Sequence, residues 1–79
     1  MNSYKDGIVE ELQKLVNFNV NVLDLPELVN YYSGWVVQLQ EDNITDPKLK
    51  GWLENQAHYW MPKDRKYGQF LMELSKSKN

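Results

Sequence analysis

Only one imidazole is available for chemistry in this chain. His58 has Glu54 four residues before it, one turn back on a helix. A carboxylate that orients an imidazole is half of a general-base arrangement. The other half, a hydroxyl or thiol held by that base, has no evident position in the sequence. An exposed or interfacial histidine on a helix is therefore the favoured reading, and His58 as a general base the least favoured. The chain has no cysteine, which excludes a thiolate nucleophile, a disulfide and a thiolate metal site. With a single histidine it cannot build a His cluster. Asp42-Asn43 followed by Thr45-Asp46 resembles a loop that gathers a cation. It lacks the glycine and the distal glutamate of a calcium loop, so it reads as turn and cap chemistry. No glycine-rich phosphate loop or zinc spacing is present. The sequence thus implies no metal, no cofactor and no catalytic residue.

Two other groups of residues are suited to binding. The first is aromatic. The chain holds three Trp, five Tyr and two Phe. Tyr31, Trp35, Trp52, Tyr59, Trp60 and Met61 form the region expected to meet a partner protein, most of them beside the apolar stripes of their helices. Trp, Tyr and Met are enriched where one protein anchors on another. The alternative is that a small core wraps around them. The second group is basic. Lys63, Arg65 and Lys66 stand at the start of the last helix, after a tight turn, where a helix-turn-helix reader touches phosphates. Against that use, Tyr67, Phe70 and Leu71 on the same helix are needed for the core.

The elements that position these residues are helical. The fold class expected is all-α, a bundle-like domain of three or four helices with an extended connector at 17–23. Ser3 and Asp6 have the spacing of a capping box ahead of a helix to Val16, with Ile8, Leu12 and Leu15 in one row and Val9 and Val16 beside it. Asn17 to Val22 alternates polar and apolar residues, the period of a half-buried strand, with no second strand to pair it. It is a connector that seats Phe18 and Val22 in the core, a strand paired with its own copy, or an edge for a partner strand. The organising helix follows. Asp24 caps it, Pro26 and Glu27 fill its first turn, and Leu25, Leu28, Val29, Tyr32, Val36 and Leu39 make its stripe. Val37 lies nearly opposite. Gly34 marks the close approach of a neighbour, or else a kink. Glu41 and Asp42 sit poorly at the negative end of a helix.

Thr45 or Asp46 caps the third helix and Pro47 takes its first turn. Its stripe is Leu49, Trp52, Leu53, Gln56 and Trp60, with Ala57 at the edge. Pro62 ends it and pushes Met61 toward extended backbone. The fourth helix is expected from Pro62 or Lys63, with Tyr67, Phe70, Leu71 and Leu74 inward, Gly68 a soft spot and 74–79 a frayed tail. One domain over 1–79 is expected, since the chain has no linker or repeat.

The formal net charge is −2. Residues 1–44 carry two lysines against seven acids, a net of −5, while 62–79 carry five basic residues against two acids, a net of +3. A weakly acidic chain is a poor generic ligand for nucleic acid. No apolar run reaches a membrane span and the N-terminus lacks a signal-like apolar region, so cytoplasmic residence without membrane contact is expected. A chain this short gains from burying surface in a second copy, which makes a homodimer a separate expectation. Together these features suggest a small non-enzymatic protein–protein interaction module. It would be an adaptor or an inhibitor of a larger host enzyme or complex, of the kind phages and other mobile elements encode. The alternative is a nucleic-acid-associated transcriptional regulator using the basic C-terminal segment.

Overall fold

The computed structural model describes residues 3–18 and 26–76. These residues are all-helical: α1 spans Tyr4–Phe18, α2 Pro26–Gln40, α3 Pro47–Trp60 and α4 Arg65–Ser75. The contacts divide the chain into two units, Met1–Asn43 and Ile44–Asn79. Each is built on one helix pair, α1 with α2 and α3 with α4.

In the first unit, α1 opens with the capping box its sequence implies. Ser3 Oγ accepts from the Asp6 N–H at 3.1 Å, and Asp6 Oδ2 accepts from the Ser3 N–H at 3.4 Å. Two of the helix's orphan donors are met by this exchange. α1 then runs through Asn17 and Phe18, two residues past the expected end, with Gln13 Nε2 donating to Asn17 Oδ1 one turn further on. These two residues are therefore helix and not connector, and Phe18 is 47% exposed instead of seated in the core. The rest of the expected connector, with Asp24 and Leu25, lies outside the described residues.

α2 ends in a Schellman motif. Asp42 has a positive φ of 56°, its N–H bonds Leu39 O, and the Asn43 N–H reaches back to Gln38 O. Asp tolerates this left-handed conformation better than most residues. The awkward acidic end is answered from α1: Lys5 Nζ donates to Gln40 O and pairs with Asp42 Oδ1, both at 3.0 Å. An ammonium beside the last carbonyls offsets the helix dipole. It also fixes the start of α1 against the end of α2, so the pair is antiparallel.

Among the described residues Gly34 meets nothing within 4 Å of where a Cβ would stand. No described residue packs on it, and α2 is continuous across it, so among the described residues there is neither the expected close approach nor a break in the helix. Gly34→Ala should then raise stability by about 1 kcal/mol, the helix-propensity difference. A thermal melt checks this. An unchanged or lower midpoint would show that the space is occupied.

In the second unit the caps are aspartates. Asp46 Oδ1 accepts from the Lys48 N–H at 2.9 Å with Pro47 at the first position of α3. Met61 does not turn extended ahead of Pro62: at φ −47° and ψ −50° it stays helical, its N–H on Ala57 O. The chain reverses through 61–64, where the N–H groups of Lys63 and Asp64 both bond Trp60 O. α4 accordingly starts at Arg65, not at Pro62 or Lys63, and Asp64 Oδ1 caps it through the Tyr67 N–H at 3.2 Å. At the far end the helix holds through Ser75, which is buried and donates its hydroxyl to Met72 O at 2.6 Å. Of the expected frayed tail, Leu74 and Ser75 are thus ordered helix.

The buried rows are narrower than the stripes the periodicity suggests. They are Ile8, Leu12 and Val16 in α1, Leu49, Leu53 and Ala57 in α3, and Tyr67, Leu71 and Ser75 in α4. Each is a run of residues four apart, the ridge that seats in a neighbouring helix's groove. Residues three away from these rows, among them Leu15, Trp52, Phe70 and Leu74, are only half-buried. A helix with a single partner in its unit seals a seam, and the flanks of the stripe stay accessible.

Candidate functional site

The residues singled out by sequence fall into two groups, one in each unit. On α2, Tyr31, Tyr32 and Trp35 form a ring cluster. Trp35 lies 5.1 Å from Tyr31 and 4.9 Å from Tyr32, edge-on to the latter. Their spacing of one and four residues places all three on one side of the helix. Trp35 is not beside the core as expected: it is 5% exposed and belongs to the core with Val36 and Leu39. Tyr31 keeps 36% of its surface and is the accessible member. Leu28, read as a core position, is exposed to the same degree.

The second group is assembled where α3 turns into α4. Tyr59, 56% exposed, meets the half-buried Trp60 edge-on at 5.3 Å. Trp60 in turn contacts Tyr67 of α4 at 5.3 Å, so it is a wedge between an exposed ring and a buried one. Its Nε1 is buried and, among the described residues, without a hydrogen-bond partner. Lys63 reaches back over the Tyr59 ring, its Nζ 4.1 Å from the centroid, a cation–π geometry. Met61, half-buried, lies under this turn and lines an open groove of about 340 Å³ with Gln69, Met72, Glu73 and Lys76. Gln69, Met72 and Glu73 of α4 and its C-cap Lys76 are spaced i, i+3, i+4 and i+7, along one face. Trp52 is half-buried farther back on α3.

The electrostatics of this corner are one-sided. Lys63, Arg65 and Lys66 are all exposed, and among the described residues no carboxylate pairs with any of them. Asp64, the acid set between them, has an oxygen committed to the Tyr67 cap. The corner thus combines a held but accessible ring, an adaptable methionine groove and three exposed cations against the single acid Asp64.

The remaining expectations are less productive. His58 Nε2 and Glu54 Oε1 are 3.8 Å apart as the sequence implies, but both side chains are more than half exposed. A pair on an open helix face has no wall to exclude water from a reaction. Among the described residues no three His, Cys, Asp or Glu side chains gather as metal ligands, and no helix is long and apolar enough to cross a membrane. Tyr67, Asp64 and Gly68 are the contributors that sequence reasoning missed. The aspartate had a legible signal, since an acid just ahead of an amphipathic run is a helix start. The chain matches no protein family, and no curated protein or solved structure shows significant similarity to it.

Proposed function

We propose that this chain is a small non-enzymatic protein-binding module, an adaptor or an inhibitor of a larger enzyme or complex, whose contact is centred on Tyr59, Trp60 and Met61. One observation carries the reading: Tyr59 is more than half exposed, yet its ring is already held by Trp60 on its edge and Lys63 over its face. Most exposed tyrosines must lose rotamer freedom on binding. A ring fixed beforehand avoids much of that cost, about 0.5–1.5 kcal/mol for an ordered interface side chain. Rigid aromatic anchors with half-buried neighbours are the pattern of binding hot spots. Tyr31 supplies a second accessible ring, on α2.

The test is affinity capture of the partner, then titration of Tyr59→Ala against it. Loss of about 2 kcal/mol, roughly thirtyfold in Kd, is expected for a hot-spot ring. The melting midpoint should stay close to the parent's, because more than half of Tyr59 is already in solvent. Unchanged affinity in a folded variant would remove this surface from consideration.

Exposed Lys63, Arg65 and Lys66 favour a second reading, a nucleic-acid-associated regulator. Three phosphate contacts would give a log K against log salt slope of roughly −2.7 on duplex DNA. Titration of a duplex oligonucleotide against the chain, read for that slope, therefore separates the two readings.

A further inference from the structure

Resting on that protein-binding reading, we infer that the partner presents an acidic segment, an apolar side chain flanked by carboxylates, to the corner formed by the end of α3 and the start of α4. Charge complementarity fixes the sign. Lys63, Arg65 and Lys66 are exposed within four consecutive residues and unpaired among the described residues. The single acid among them, Asp64, caps the Tyr67 N–H. Elsewhere Lys5 pairs with Asp42 and Lys14 lies 3.8 Å from Glu10, while Lys48, Lys50 and Lys76 stand singly along α3 and at the end of α4, so the cations are densest at this turn.

The groove beside the cations supplies the apolar half. Its volume of about 340 Å³ is at the lower end for ligand pockets, and Met61 and Met72 line it. Thioether side chains adapt to irregular apolar partners. Glu73 and Lys76 on its rim cancel in charge, so discrimination by sign falls to the three residues at the turn. Met61 lines the groove and opens the turn bearing Lys63, so one segment of a few residues spans both.

Length separates this occupant from a polyanion. At physiological salt charges are screened beyond about 8 Å. A short acidic segment senses the local cations alone. A nucleic acid or an anionic membrane extends past them and meets a chain of net charge −2.

A display library of short random peptides, selected on the intact chain, tests this, with selected peptides then synthesised and titrated. The variants are Tyr59→Ala and the triple reversal Lys63→Glu, Arg65→Glu, Lys66→Glu. Acids in the first turn of α4 suit the helix dipole, so the triple variant keeps its helix content. Enrichment of Asp and Glu around an apolar residue is expected, with affinity falling roughly tenfold or more in the triple variant and weakening with salt. Peptides that need Tyr59 but show no acidic preference would overturn this inference and leave the protein-binding reading standing. Peptides indifferent to Tyr59→Ala, or no peptides at all, would count against both. Tighter binding of a DNA or RNA oligonucleotide, or of phosphatidylserine vesicles, would assign the cations to a polyanion. A salt-sensitive dimer abolished by the triple variant would make the occupant a second copy.

Discussion

Trp35→Ala should cost about 3–5 kcal/mol of folding free energy, the usual range for deleting a buried tryptophan. The ring is buried on the face of α2 that carries Val36 and Leu39, and it packs edge-on against Tyr32. α1, the partner of α2 in its unit, contributes Ile8, Leu12 and Val16 to the core. At roughly 0.05–0.15 kcal/mol per residue, a chain of 79 residues has about 4–12 kcal/mol in total. The substitution therefore removes between about a quarter and all of it. With about 4–8 °C lost per kcal/mol at this size, the midpoint should fall by more than about 12 °C, or the cooperative transition should vanish. Circular dichroism on heating reads this directly. A midpoint within a few degrees of the parent's would mean that the ring is not part of the core. The consequence for function is practical. Lost binding in Trp35→Ala would report unfolding, whereas Tyr59→Ala removes a ring that is mostly in solvent and isolates the contact.

Trp35 also shows where sequence reading reaches its limit. Its angular position puts it on the shoulder of the α2 stripe, and periodicity identifies a face without saying what covers it. Leu28, nearer the centre of that stripe, is exposed. Local chemistry was far more legible. Ser3 with Asp6, and Asp46 with Pro47, are complete signals over four residues or fewer, and both are realised as hydrogen-bonded caps. The all-helical class followed from such signals and from the helical spacing of apolar residues. The partner of the acidic α2 terminus was not legible, because Lys5 lies 35 residues from Gln40 and no local rule joins them. At the candidate site the residue types stood out, but their grouping did not. Lys63 over Tyr59, and Trp60 between Tyr59 and Tyr67, depend on how the chain reverses at 61–64. That reversal in turn depends on Met61 staying helical before a proline, against the usual preference.

Two mid-helix glycines that look alike in sequence should respond oppositely to the same substitution, and Gly68→Ala has the larger effect. Gly34 meets no described residue, while a Cβ on Gly68 would stand 2.8 Å from both Met61 Cα and Met61 N and 2.9 Å from its Cγ. Two of these three atoms are backbone, so no rotamer change relieves the overlap. The turn itself must shift, and it carries the Gly68 N–H to Asp64 O bond, the Asp64 cap on Tyr67 and the Trp60–Tyr67 ring contact. Overpacking of this kind costs about 1–3 kcal/mol and at times more. Alanine's better helix propensity returns up to about 1 kcal/mol. A net loss of about 1–2 kcal/mol is expected, a midpoint lower by about 4–16 °C. Trimming Met61 to alanine in the same chain should recover little, since it removes Cγ and leaves Cα and N in place. A Gly68→Ala variant as stable as the parent would show that α4 does not press on the α3 terminus. The ring and cation corner would then lose the framework that holds it. If the variant is destabilised but still folded, binding through Tyr59 should weaken as well, because the displaced turn carries Lys63 away from the ring it covers.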